Sequence, residues 1–246
     1  MISVTILTKN SQRHLKAVLD SLRSFDEIIV LDNGSDDQTL DIAQQYPNVR
    51  IHKTPFIGFG PLHNQASNLA KHDWILSIDS DEILSEGLLH EIQSLNLNAD
   101  AIYSFPRHTY YRGKLIRGCG WYPDRIVRIY NRKKTQFSND QVHERILKDG
   151  LLEIRLKEPI IHYSYTTISD FLSKMQSYSE LFAKNYRGKK KSSPLIALTH
   201  SAGAFFKSYF LKRGIWDGYA GFLISFYQAH TAFYKYLKLY EANKDI

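Results

Sequence analysis

Three apolar runs in the first 80 residues constrain the fold most: ISVTIL (Ile2–Leu7), EIIVL (Glu27–Leu31) and WILSI (Trp74–Ile78), with a shorter VRI at 49–51. Each is dominated by Ile, Val and Leu and is too short for a helix, as expected of strands buried on both faces. Between them apolar residues recur at helical spacing: Leu15, Val18, Leu19 and Leu22, then Leu40, Ala43 and Tyr46, then Leu62, Ala66 and Leu69. Ser35 and Gln38 occupy the positions of a capping box ahead of the second group. Strand-helix-strand units repeated in this way predict an α/β fold with a Rossmann-like, mostly parallel sheet flanked by helices.

In open sheets of this kind ligands collect beyond the carboxyl ends of the strands. Those ends here are Thr8, Asp32 and the cluster Asp79, Ser80, Asp81 and Glu82. Ser85 reads as a helix N-cap, and acids near a helix N-terminus account for Glu82 and Glu86. They do not account for Asp79, which follows an apolar strand directly. A desolvated carboxylate without a counter-charge either costs several kcal/mol or takes up a proton, so a cation partner is expected. A hard divalent ion, Mg2+ or Mn2+, would suit Asp79 and Asp81 and complete its shell with phosphate oxygens and water. Alone, D-x-D is a common accident; with Asp32 on a second strand end it favours metal binding. Neither G-x-G-x-x-G nor the P-loop pattern occurs, and Gly58-Phe59-Gly60 lacks the third glycine. A bound diphosphate would therefore be neutralised mainly by a metal, leaving Asp32 to accept from a base imide or ribose hydroxyls.

Hydrophobic content of 43% and charged content of 23% exclude wholesale disorder. The single cysteine, Cys119, cannot form an internal disulfide, which suits a reducing compartment and a small buried side chain. The first apolar run ends at Lys9, too short for a signal peptide, and no stretch approaches the roughly 18 apolar residues that span a bilayer. A cytoplasmic protein is expected, with a peripheral position on the cytoplasmic face of the inner membrane left open. The net charge of +7 is uneven: residues 1–100 hold 7 Lys and Arg against 14 Asp and Glu, a net of −7, so the remainder carries +14. The acidic part suits a metal; the basic part suits a phosphate-bearing partner, an anionic membrane surface or nucleic acid. No nucleic-acid-binding signature occurs, and a non-catalytic binder has no use for acids converging on a rim.

From about Ala101 the texture shifts to Tyr, Arg and Gly, and AIYSFPRHTYY and RIVRIY read as strands. If RIVRIY is a strand, Arg125 and Arg128 point to opposite faces, one toward a phosphate and the other toward solvent. Trp121 and Tyr122 could present an apolar platform to a ligand ring, or pack at an edge beside Pro123. After IIHYSYT the spacing of Phe171, Met175, Tyr178 and Phe182 is helical, and RGKKKSSP reads as an exposed loop. In AFFKSYFLKRG, Phe206 and Phe210 stand four apart, as do Phe205 and Tyr209, interspersed with Lys207, Lys212 and Arg213. Such a helix could lie in a membrane interface, or pack on its own domain with solvated lysines.

SVTILTKN, IIVLDNGSDDQT and NQASNLAKHDWILSIDSDE resemble, in order and spacing, the nucleotide-sugar-binding half of family 2 glycosyltransferases, which have the GT-A fold. YPDRIVRIYNR and VHERI are similar to the branch containing lipopolysaccharide-core β-1,4-glucosyltransferases, so the resemblance covers roughly residues 2–162. It implies a GT-A catalytic domain over residues 1–165, with a nucleotide-sugar-binding half at 1–100 and an acceptor-side half at 101–165. A helical, basic and aromatic extension over 166–246 follows. Thr8 and Asp32 would contact the nucleoside and Asn64 would lie near the donor, or Asn64 would make only helix-surface hydrogen bonds. Asp79 would touch ribose or metal-bound water, and Asp81 would ligate the metal. Family 2 enzymes invert the anomeric centre, which requires a base: Glu144 matches that position, Asp140 is the reserve, and a salt bridge with Arg145 is the alternative fate of Glu144. His143 could orient that carboxylate or meet a phosphate; His162 could be a metal ligand, a phosphate contact or a satisfied core histidine.

Processive relatives carry a Q-x-x-R-W box and membrane helices; RGIWDG (Arg213–Gly218) is not that box, so transfer of one sugar is expected. The resemblance implies glucose from UDP-glucose and a lipopolysaccharide inner-core heptose as acceptor, with another nucleotide-sugar donor or glycan acceptor as the alternative. A metal-dependent nucleotidyltransferase is the enzymatic rival, but it would want a Gly- and Lys-rich first turn, whereas Lys9-Asn10-Ser11 follows VTILT.

Overall fold

The strands form where the apolar runs fall. The structure, a computed structural model, describes residues 1–141 and 144–244. In chain order its elements are β1 (Ile2–Thr8), α1 (Leu15–Ser21), β2 (Ile28–Asp32), α2 (Thr39–Ala43), β3 (Val49–Lys53), α3 (Phe59–Leu69), β4 (Trp74–Asp79), β5 (Glu82–Leu84) and α4 (Glu86–Gln93). They continue with β6 (Ala101–Tyr111), β7 (Lys114–Leu115), β8 (Arg125–Asn131), β9 (Leu152–Arg155), β10 (Ile160–His162), α5 (Ile168–Tyr186), α6 (Pro194–Phe206) and α7 (Tyr219–Lys244). The chain divides into two compact units: residues 1–108 with 124–163, and residues 109–123 with the stretch from Ser164 onward.

In the first unit the strand order is β3-β2-β1-β4-β8-β6-β10-β5, with β9 on β6. The pairs among β1 to β4 are parallel, and β8 joins β4 antiparallel, so the sheet is mixed. The pleat sorts side chains onto two faces. Val4, Ile6, Ile28, Val30, Leu76 and Ile78 pack on Leu15, Val18 and Leu19 of α1. Ile29, Leu31 and Ile75 pack on Leu62 and Ala66 of α3. Each such buried side chain contributes about 1.5–3 kcal/mol relative to exposure.

Two helix starts contrast. Ser85 caps α4 as its sequence predicts, accepting from Leu88 N at 3.1 Å. The expected capping box of Ser35 and Gln38 does not form: α2 begins after Gln38 without a side-chain cap. The Ser35 hydroxyl donates to Asp32 and accepts from Asn10 N at 2.9 Å instead. Short polar side chains that can bond a neighbouring turn do so in preference to the helix.

In the second unit a core of Tyr111, Ile116, Cys119, Phe171, Ala220 and Ile224 forms around α5 and α7. Trp121 belongs to it, stacked on Tyr165 with ring centroids 5.3 Å apart, so its aromatic surface is spent on packing. Cys119, 1% exposed, is a free thiol that donates to Gly221 O at 3.4 Å. The close passage of α7 there depends on glycine: a Cβ on Gly221 would lie 1.7 Å from Gly214 O. Gly221→Ala is therefore expected to lower stability by about 1–3 kcal/mol in thermal melts followed by circular dichroism. Gly203→Ala on α6, where a Cβ meets nothing within 4 Å, should hold or raise the midpoint.

Candidate active site

Registry brings the predicted strand ends together: Thr8 pairs with Asp32 across β1 and β2, and Leu7 with Asp79 across β1 and β4. Asp32, 2% exposed, is filled by its own turn. Its Oδ2 accepts from Gly34 N and Ser35 N, each at 3.1 Å, and its Oδ1 from the hydroxyls of Ser35 and of Thr8, the latter at 3.3 Å. Gly34, at φ 104°, gives the turn a left-handed step that few other residues adopt. Burial opposes ionisation of Asp32, but these donors outweigh it and hold the carboxyl below its usual range.

Asp79 has a cation, and it is Arg128. The antiparallel pairing of β8 with β4 carries that guanidinium to the strand end, where Nη2 donates to Asp79 Oδ2 and to both oxygens of Glu82, at 3.0 and 3.1 Å. Glu82 is completely buried and also accepts from Arg107 Nη1 at 3.3 Å. Burial works against Asp79, yet Arg128, with support from His63, His162 and Arg107, holds its carboxyl at about 2. Burial dominates at Glu82 and pushes its carboxyl up. One expectation is corrected: Glu82 serves this ion cluster, not the start of α4. Asp79, expected beside a metal, has the Arg128 guanidinium as a cation at its carboxylate, and Arg128 is turned to these carboxylates and away from solvent. Arg125 ties down backbone instead, donating to Ser104 O and Leu156 O, each at 2.9 Å.

Asp81 is placed differently. β5 pairs antiparallel with β10, setting Glu82 opposite His162, and Asp81 O accepts from Tyr163 N at 3.0 Å. The Asp81 Oδ1 and His162 Nε2 atoms stand 3.5 Å apart, both side chains partly exposed. One carboxylate oxygen and one imidazole nitrogen are a donor set that fits Mn2+ better than the oxygen-seeking Mg2+. Among the described residues no third His, Cys, Asp or Glu completes a metal cage, so such an ion would keep most of its shell for phosphate and water.

A cleft of about 690 Å3 opens beside the cluster, lined by Asp79, Arg107, Arg128, Glu144, Arg145 and Lys148 among others. The structure therefore brings Glu144 and Asp79 to one cavity, under a cationic excess suited to phosphate. Glu144 is 22% exposed and its Oε1 stands 3.9 Å from His63 Nε2. His63 went unnoticed in the sequence. It is 3% exposed, its Nδ1 bonds Ser77 Oγ at 3.1 Å, and its ring stacks on Phe137 at 4.2 Å. Burial pulls its pKa down to about 4, so the imidazole is neutral at physiological pH. A signal existed: His63 falls on the sheet-facing side of α3, one residue from Leu62 and three from Ala66.

The segment before Glu144 is anchored on α3. Asn64 spends its amide on the backbone of one residue, accepting from Phe137 N and donating to Phe137 O, both at 2.9 Å. Gly60 N donates to Asp140 O at 3.1 Å, and a Cβ on Gly60 would lie 1.9 Å from Ser138 O. The Asp140 carboxylate accepts from Ser138 Oγ at 2.8 Å, and Asp140 is not among the residues lining the cleft. His143 lies outside the described residues.

Comparison with known proteins agrees with this geometry. The profile of the family described as Glycosyl transferase family 2 matches residues 3–153. An uncharacterized glycosyltransferase of Rickettsia bellii is 31% identical over 98% of this chain and 86% of its own length. The lipopolysaccharide core biosynthesis glycosyltransferase LpsC of Rhizobium meliloti is 24% identical over 98% of this chain and 92% of its own. Among solved structures, the mannosyltransferase PcManGT of Pyrobaculum calidifontis, determined in complex with GDP-Man and Mn2+, shares the fold. It aligns at a TM-score of 0.55 and 13% identity, over 97% of this chain and 86% of its own. The strand order, the rim of strand-end acids and the match over residues 3–153 lead to one conclusion: this chain belongs to glycosyl transferase family 2.

Proposed function

We propose that the protein is an inverting, metal-dependent glycosyltransferase that moves a single glucose from UDP-glucose onto a heptose of a lipopolysaccharide inner core. The observation that carries the reading is the meeting of Glu144 and the Asp79 strand end in one cationic cleft. The printed role of LpsC in lipopolysaccharide core biosynthesis supports the acceptor class. The GDP-Man and Mn2+ bound to PcManGT support a nucleotide-sugar donor and a divalent ion. A cytoplasmic setting belongs to the proposal, consistent with one buried free thiol.

Asp81 and His162 would hold Mn2+ or Mg2+, which when bound offsets negative charge on the departing diphosphate. Thr8 and Asp32 bind the nucleoside, whose donors replace the Thr8 or Ser35 hydroxyl at the Asp32 carboxylate. Asp79, kept ionised by Arg128, accepts from a ribose hydroxyl. Asn64 acts by anchoring the Phe137 peptide and with it the segment that leads to Glu144. Glu144 removes the proton from the acceptor hydroxyl as that oxygen bonds to the anomeric carbon and the bond to the diphosphate breaks, inverting the centre.

Calorimetric titration with UDP-glucose, UDP-galactose and GDP-mannose, each with and without Mn2+, tests the site. UDP-glucose is expected to bind with Mn2+ and to lose tenfold or more in affinity without it, or in Asp81→Asn, about 1.4 kcal/mol or more. Metal-independent binding, or none, overturns the assignment; preference for another nucleotide sugar replaces UDP-glucose alone.

A further inference from the structure

The second unit exposes an apolar face. On α6 and the π-helical turn Lys207–Leu211 that continues it, Leu195, Leu198, Ala202, Phe206 and Phe210 recur at steps of three or four and stay exposed. On α7 Tyr219, Phe222 and Phe226 do the same, and in the 3-10 turn between them Trp216 is 82% exposed. Ring contacts join the two stripes: Tyr209 meets Phe210 at 5.1 Å and Phe222 at 6.3 Å, and Phe222 stacks on Phe226 at 5.7 Å. Contiguous exposed apolar area of this kind marks an interaction surface.

Charge selects the partner. Between Glu180 and Asp217 the chain carries eight Lys and Arg and no Asp or Glu. Lys207, Lys212 and Arg213 lie exposed among the aromatic side chains, and Asp217 is turned inward, accepting from Gly118 N at 2.6 Å. A second copy of this chain is disfavoured, because a self-complementary interface would set these cations against themselves with no carboxylate between them. Aromatic side chains flanked by cations match an anionic bilayer surface, where rings enter the acyl boundary and cations meet headgroups. Among the described residues no helix is long and apolar enough to cross a membrane.

We propose that the face formed by α6, its π-helical turn and the start of α7 docks on an anionic lipid bilayer, with Trp216, Phe210 and Leu211 entering it and Lys207, Lys212 and Arg213 at the headgroups. The test is cosedimentation of the full chain with phosphatidylcholine vesicles with and without phosphatidylglycerol, at low and high salt. Binding is expected to phosphatidylglycerol vesicles, to weaken in salt, and to fall about tenfold or more in Phe210→Ser/Trp216→Ser and in Lys207→Glu/Lys212→Glu. All four side chains are exposed, so unchanged thermal melts are expected to show both variants folded. Absence of binding to phosphatidylglycerol vesicles at low salt overturns the proposal, as does binding that neither folded variant weakens. A stable dimer in light scattering that Phe210→Ser/Trp216→Ser dissolves assigns the face to a second copy and also overturns it.

Discussion

Arg128→Met is expected to lower the unfolding free energy by about 3–5 kcal/mol at neutral pH, the cost of removing one partner from a buried ion cluster. Methionine is shorter than arginine but replaces its apolar stem with a flexible side chain that adapts to irregular space, so the loss is electrostatic more than steric. Glu82 carries most of the effect, being completely buried; it would keep Arg107 at 3.3 Å and the Asp79 N–H at 3.2 Å but lose its two bonds to Arg128. Asp79 contributes less, since 39% of its side chain is exposed and water would screen its charge. In the wild type the depressed Asp79 pKa, about 2, adds stability that is complete above the ordinary carboxylate value of about 3.9 and is lost as pH falls through 2. Glu82 has the opposite sign: its raised pKa costs stability at neutral pH, and the cost disappears as pH falls. Without Arg128 both carboxyls shift upward. The deficit of the variant should therefore be largest at neutral pH and shrink as pH approaches about 4. Urea unfolding at both pH values measures this, and Glu82→Gln in the Arg128→Met background should recover part of the loss. Equal stability of wild type and Arg128→Met would remove the cluster from any structural role.

The part of this molecule that could be read from the sequence is the part set by local periodicity. The apolar runs became β1, β2 and β4, and because parallel neighbours share a direction, Thr8, Asp32 and Asp79 had to end on one rim. The strand AIYSFPRHTYY became β6 without a residue's difference, and Leu62, Ala66 and the helix around them became α3. What escaped depends on residues far apart in the chain. Arg128 and Glu82 are 46 positions apart, and nothing in RIVR announces a carboxylate partner. Asp81 meets His162 only because β5 pairs antiparallel with β10, a register that no local pattern encodes. Ser35 failed as a cap for a local reason: Asp32, three residues before it, competes for the same hydroxyl. Asn64 was read two ways, as lying near the donor or as making helix-surface hydrogen bonds, and its amide is bonded on both sides to the Phe137 backbone, 73 positions away.

Glu144→Gln should lower kcat about 10²–10⁴-fold, or about 2.7–5.5 kcal/mol in the barrier, while donor affinity measured by calorimetry stays where it was. Glutamine keeps the shape and can still accept a hydrogen bond, but it cannot take a proton from the acceptor hydroxyl. The neighbours offer no substitute. His63, 3.9 Å away, is 3% exposed, bonded to Ser77 Oγ and stacked on Phe137, and is not among the residues lining the cleft, so it is held away from the acceptor hydroxyl. Asp140 is directed to Ser138 Oγ at 2.8 Å and is absent from the lining of the cleft. The alternative, that Glu144 only braces its segment through a salt bridge, predicts a different signature. A brace lost to Gln would loosen the bridge between Phe137 and Ile146, lower the melting midpoint and raise KM, whereas a lost base lowers kcat with the fold and the donor site intact. Single-turnover transfer with radiolabelled donor separates the two. Full activity in Glu144→Gln together with loss in Asp140→Asn would move the base to Asp140, and the proposed chemistry would then have to be rebuilt on the other side of the Ser138 turn.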